Sequence, residues 1–172
     1  MILKLIQYLW EKIKRPGAMW VIFSGVITAI SIMYARSGLL AWISLIPYFI
    51  TLYRNTDPES GKRHLFRTGF LFGCSLYLPL LSFFYALYPI ESAGLTPSEA
   101  IMVILLAQLG LSAVYSLPHG VLPCVLRLLR KKRARRTEAL IIPLSIPALW
   151  VLVEWAGSQT WLGMPWGRLA VS

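Results

Sequence analysis

From Ala100 to Leu126 the chain reads AIMVILLAQLGLSAVYSLPHGVLPCVL, without one Asp, Glu, Lys or Arg, and Arg127 to Arg136 then follow as RLLRKKRARR. A helix rising about 1.5 Å per residue crosses roughly 30 Å of hydrocarbon in about 20 apolar residues. This segment is therefore long enough to span a bilayer, and the basic run stops it on one side. Composition extends the same reading to the rest of the chain. Of 172 residues, 57% are hydrophobic and 14% charged, against roughly 25% charged in an average soluble domain. Seven Trp, eight Tyr and seven Phe are more aromatic surface than a soluble core of this size can hide.

Four further apolar segments, Ala18 to Ala35, Gly38 to Tyr53, Thr68 to Tyr88 and Ala139 to Ala156, accompany the first. The expected fold class is an all-α polytopic membrane protein with about five transmembrane helices within residues 16–156. The Gly38 to Tyr53 segment is the shortest and contains Pro47, so a tight hairpin with its predecessor across Arg36 and Ser37 is expected. Ahead of the spans, residues 1–15 (MILKLIQYLWEKIKR) place Ile2, Ile6, Leu9 and Ile13 on one helical face and Lys4, Lys12, Lys14 and Arg15 elsewhere. That is the pattern of a basic interfacial helix. No A-x-A site follows its apolar run, so it is read as retained rather than cleaved. Residues 157–172 read as an outer interfacial segment rich in Trp.

A net charge of +10 would suggest a nucleic-acid partner in a soluble protein. Placement argues against it. With five spans threaded, fifteen of the seventeen Lys and Arg residues fall on one side, and only Arg36 and Arg168 on the other. Basic loops stay in the cytoplasm, so the N-terminus is expected inside and the C-terminus outside, with no nucleic acid bound. The run from Arg130 to Arg136 then reads as a topology anchor that also touches anionic head groups.

Polar and small residues inside the spans are the next candidates. Gly69 and Gly73 form a GxxxG pattern, and Ser112, Ser116 and Gly120 form a small-residue stripe; both permit close helix packing. Pro118 is expected to kink its helix, with His119 bonding to backbone that the proline frees rather than relaying protons. Gln108 is expected to make an interhelical hydrogen bond. Glu154 is the one acid within a span, which makes it a candidate functional group, and Trp150 lies one turn earlier on the same face. The plainer reading of Glu154 is a carboxylate reaching interfacial water or pairing with Arg168. Cys74 and Cys124 sit in apolar runs without CxxC or a ligand-spaced His, so no disulfide, metal or cofactor is indicated.

The segment PALWVLVEWAGSQTWLGMPWGRLAVS, from Pro147 to Ser172, resembles the signature of bacterial apolipoprotein N-acyltransferases. In that family a PALW-x3-E span leads into a Gly-Phe-Pro-Trp turn. Pro147, Ala148, Leu149, Trp150, Glu154, Gly163, Pro165 and Trp166 match, whereas Met164 replaces the usual Phe, and Ala170-Val171-Ser172 replaces a Gly-Tyr-Ser stretch. Gly69-Phe-Leu-Phe-Gly73 is similar to the family's glycine- and aromatic-rich third span. The resemblance implies a multi-pass protein of the bacterial inner membrane that moves an acyl chain from a membrane phospholipid to the N-terminal cysteine of a lipoprotein substrate. It also implies that the chemistry belongs to a periplasmic nitrilase-like domain with a Glu, Lys and Cys triad. None of the 172 residues matches that triad, so the chain reads as the N-terminal membrane portion of such an enzyme, inactive alone. Trp150, Glu154, Gly163, Pro165 and Trp166 are then the substrate-cleft candidates. A small non-enzymatic scaffold or transporter subunit is the alternative, with Gln108, His119 and Glu154 the only residues to line a polar path.

Overall fold

The computed structural model describes residues 17–34, 40, 43–55, 61–90, 94–131 and 135–159; the amphipathic segment expected over residues 1–15 and the Arg36-Ser37 turn lie outside them. Among the described residues there is no strand. Helices α1 (Ala18–Met33), α2 (Ile46–Asn55), α3 (Lys62–Leu80), α4 (Pro97–Lys131) and α5 (Arg135–Ser158) account for almost all of them, and a 3-10 segment, Leu81–Leu87, prolongs α3. Two of these units, Lys62–Leu87 and Pro97–Arg130, are long and apolar enough to cross a membrane; Ala18–Met33 and Leu144–Trp155 are shorter apolar helices.

The start of α4 and the end of α3 follow from local chemistry. Thr96 caps α4: its backbone N–H and its hydroxyl both donate to Glu99 Oε2, at 2.9 and 2.7 Å. Pro97 occupies the first helical position, where its missing N–H costs nothing. α4 then runs unbroken through Pro118 and Pro123. Near the end of α3, Pro79 cannot donate to the helix ladder, and the backbone tightens at Leu81 into the 3-10 segment. Gln108 of α4 reaches across at this point, its Nε2 donating to the Leu78 carbonyl at 2.8 Å. This is the interhelical bond expected of it.

α3 is the centre of the bundle, packed most extensively against α4 and next against α1, while α5 leans on α4 and touches α2. The α3–α4 pair is antiparallel, because its contacts pair early residues of α3 with late residues of α4. Cys124 Sγ lies 3.7 Å from the Lys62 carbonyl, Gly120 faces Phe66, Gly73 faces Ser116 and Gln108 meets Leu78.

Beside an apolar core that includes Leu52, Phe72, Leu76 and Leu126, the bundle buries polar side chains and exposes large apolar ones. The buried side chains include Ser24, Thr28, Ser31, Ser75, Gln108, Ser112, Ser116 and His119, whereas Met19, Leu106, Leu144 and Trp155 are 82%, 63%, 69% and 62% exposed. Several of the buried hydroxyls are satisfied within their own helices or by a neighbour. Thr28 Oγ1 donates to the Ser24 carbonyl at 2.7 Å, Ser116 to the Ser112 carbonyl at 2.6 Å and Ser75 to the Phe72 carbonyl at 2.8 Å. Ser24 donates to the Ser44 carbonyl, and Thr28 also lies 2.9 Å from the Ser44 hydroxyl, which ties α1 to the turn before α2.

Candidate functional site around Trp150 and Glu154

The i, i+4 spacing of Trp150 and Glu154 puts both on one face of α5, and their side chains are joined: Trp150 Nε1 donates to Glu154 Oε1 at 2.7 Å. An indole N–H taken out of water needs an acceptor, and a carboxylate one turn away is a strong one. The bond fixes the ring in a pocket built by three other helices, where Trp150 is only 5% exposed. Its ring meets Phe49 of α2, Phe72 of α3 and His119 of α4 edge-on, at centroid separations of 6.1, 5.7 and 5.1 Å with interplanar angles of 74 to 75°. Such T-shaped contacts suit aromatic quadrupoles.

A second layer supports these rings. Tyr48 stacks on Phe72 at 3.8 Å and 11°. Tyr77 stands edge-on to His119 at 5.6 Å and lies 5.3 Å from Tyr115. His119 Nδ1 sits 3.3 Å from the Tyr115 carbonyl oxygen. That oxygen can only accept, so this nitrogen carries the proton in the contact. The bond goes back one turn to backbone, as the sequence suggests, but the carbonyl left without an N–H partner by Pro118 is that of Val114, not Tyr115. Pro123 likewise leaves the His119 carbonyl without a helical partner, and it is against this carbonyl that Gly69 packs. The hydroxyls of Tyr48 and Ser112 are buried without a hydrogen-bond partner among the described residues; each can accept a water or a polar ligand group.

Gly69 and Gly73 lie at the closest approach of α3 and α4. A Cβ on Gly69 would run into the His119 carbonyl, and one on Gly73 would lie 2.7 Å from Ser116 Cα. The glycine pattern and the small-residue stripe are thus two sides of one contact, and its stripe on α3 (Leu65, Gly69, Phe72, Gly73, Leu76) is buried along its length. Phe72 falls on that stripe one position before Gly73, so the glycine spacing already marks it as facing inward. Tyr48 and Phe49 carry no comparable signal. The cleft candidates Gly163, Pro165 and Trp166, and the Arg168 partner suggested for Glu154, lie outside the described residues.

The site is a closely packed aromatic cluster within the apolar core. Among the described residues no three of His, Cys, Asp and Glu gather in one place. Cys74 and Cys124 are free, and the Cys124 thiol faces the Lys62 and Gly120 carbonyls, 3.7 Å from each.

Comparison with known proteins places this arrangement. No solved structure matches the chain. A curated apolipoprotein N-acyltransferase from Geobacter metallireducens is 28% identical over 160 residues, which cover 93% of this chain and 28% of that relative. The chain therefore spans about a quarter of the length of the relative it matches. The sequence profile of the apolipoprotein N-acyltransferase N-terminal domain matches residues 24–172, which include α2 to α5 and the Trp150–Glu154 site. The chain belongs to the apolipoprotein N-acyltransferase N-terminal domain family.

Proposed function

We propose that the chain is the membrane-embedded part of an apolipoprotein N-acyltransferase of the bacterial inner membrane, transferring an acyl chain from phospholipid to the N-terminal cysteine of a lipoprotein. In this reading residues 16–156 form a five-span domain with its N-terminus in the cytoplasm and its C-terminus in the periplasm. Residues 1–15 lie along the inner interface and residues 157–172 along the outer one. Two features support the membrane reading: buried hydroxyls beneath a surface of large apolar side chains, and two helices of sufficient length and apolarity. Lipid solvates such a surface; water does not.

The observation that carries the functional reading is the Trp150–Glu154 bond, seated where α2, α3 and α4 converge on α5 and inside the family-matched region. We assign Trp150 and Glu154, with Gly163, Pro165 and Trp166, to the wall of the cleft that lipid passes on its way to the reaction. Bond making is assigned to a nitrilase-like domain beyond these residues, so Trp150 and Glu154 position and do not react. A scaffold or transporter subunit is the less favoured reading, because His119, its strongest polar-path candidate, is enclosed by aromatic rings.

The test is genetic complementation. Residues 1–172, alone and joined to a nitrilase-like catalytic domain, are expressed in a bacterium depleted of its own apolipoprotein N-acyltransferase, and conversion of a diacylated to a triacylated lipoprotein is followed by its mass. No conversion is expected from residues 1–172 alone; conversion is expected from the joined protein, with Trp150→Ala slowing it at unchanged protein level. Conversion by residues 1–172 alone, or its absence with the joined protein present in the membrane, overturns the proposal.

A further inference from the structure

One end of the bundle gathers charge from three helices. Arg130, at the end of α4, donates from Nη1 to the Tyr53 carbonyl at 2.8 Å, and its guanidinium lies 5.2 Å from the centre of the Tyr53 ring. The Cys124 contact with the Lys62 carbonyl brings the start of α3 to the same end. Arg54, Lys62, Arg63, Arg67, Arg127 and Arg130 therefore converge there, and they outnumber the acids that the sequence puts beside these helix ends, Asp57, Glu59 and Glu138.

Two properties of this surface go beyond a topology signal. Lys62, Arg63 and Arg67 are exposed, and Arg63 and Arg67, at i, i+4, share one face of α3. Like charges in that relation repel and weaken a helix unless an anion lies between them. The stripe also runs along the helix axis. From Lys62 to Arg67 is about 7.5 Å of rise, and Thr68, Gly69 and Phe70 follow directly. If Lys62 stands at the membrane surface, Arg67 is carried to the depth at which lipid phosphates lie.

We infer that the Lys62–Arg63–Arg67 stripe, flanked by Arg54 and Arg130, is a binding surface for an anionic phospholipid, its phosphate held between Arg63 and Arg67 and its acyl chains lying along α3. The inference rests on the membrane reading proposed above, but not on the acyl-transfer reading. It places a lipid site at the end of the bundle opposite the Thr96–Glu99 cap.

The experiment uses the full chain in a neutral detergent, titrated separately with phosphatidylglycerol, phosphatidylcholine and inorganic phosphate, with bound species read by native mass spectrometry. Phosphatidylglycerol is expected to be retained in preference to phosphatidylcholine. The double variant Arg63→Gln, Arg67→Gln is expected to lose roughly 25-fold of that preference, at about fivefold per basic residue. Circular dichroism of the variant, unchanged from that of the parent chain, shows that the fold persists. Equal retention of the two lipids, selectivity that survives in the double variant, or full displacement of phosphatidylglycerol by millimolar phosphate each overturns the lipid site. A chain that stays soluble and helical without detergent overturns the membrane reading instead.

Discussion

Between α3 and α4 the contact is backbone against backbone, with Gly69 on the His119 carbonyl and Gly73 on Ser116. Between α5 and its neighbours the contact is ring against ring, with Trp150 edge-on to Phe49, Phe72 and His119. The first kind of contact is set by atoms that cannot rotate away, so it tolerates almost no added volume. The second is held by side chains and one hydrogen bond, so rings can re-pack at modest cost. The cleft role proposed for the Trp150 face asks for this difference, a wall that yields to its ligand beside a pair that does not.

The comparison breaks most readily at Gly69. Gly69→Ala puts a methyl group onto backbone atoms of α4, and the helices have to separate. A loss of about 3 kcal/mol is expected, at the upper end of overpacking costs, read as the midpoint of unfolding in mixed detergent and SDS by circular dichroism. Unchanged stability would show that α3 and α4 are not held by close approach. Trp150→Phe tests the other side of the comparison. It keeps an aromatic ring but removes the donor to Glu154, and about 2 kcal/mol is expected to be lost. Because Phe72 belongs to both regions, combining it with Gly69→Ala sharpens the contrast. Independent contacts give additive losses, and a shared strain through Phe72 gives a sum that departs by more than about 0.5 kcal/mol.

A smaller effect is expected at Gln108. Gln108→Leu removes the donor to the Leu78 carbonyl where α3 tightens into the 3-10 segment. Interhelical hydrogen bonds in membrane bundles contribute on average about 0.6 kcal/mol, and a loss of that order should appear in the same unfolding assay. A larger loss would mean that this bond, and not the glycine contact alone, fixes the α3–α4 register.

These regions were unequally legible in the sequence. The helical class followed from uninterrupted apolar stretches, and small residues at four-residue spacing marked faces of α3 and α4 able to pack closely, because both are local patterns; that the two faces meet each other was not legible. The helices extend further than the apolar stretches suggested: α3 starts at Lys62 and α4 ends at Lys131, since Lys and Arg form helix well and apolarity marks only the part that meets hydrocarbon. α2 covers the second half of its apolar stretch, and Leu40, Ile43 and Ser44 ahead of it are helical too. It begins at Ile46 after a turn at Leu45, and Pro47 fits that start because the first helical turn does not use its N–H. At the site, the Trp150–Glu154 pair was legible from its spacing on one helix. The cage around it was not, because Tyr48, Phe49, Phe72 and His119 come from three other helices, and only Phe72 shares a stripe with a recognisable motif.

Gly110 provides the finest discrimination, since it sits on the same helix as Gly120 yet faces outward, with no atom within 4 Å of the place its Cβ would take. Gly110→Ala adds the methyl group that Gly69→Ala adds, but into open space, and it relieves the conformational freedom of a glycine in a helix interior. A gain of about 0.5 kcal/mol is expected, opposite in sign to the change at Gly69 and measured in the same detergent series. If both substitutions destabilise alike, glycine serves α3 and α4 by keeping them pliable, and the close backbone contact is not what holds them. If the signs differ, the penalty at Gly69 belongs to its contact with the His119 carbonyl, the same residue whose ring braces Trp150, and the rigid and adjustable halves of the bundle meet at that one histidine.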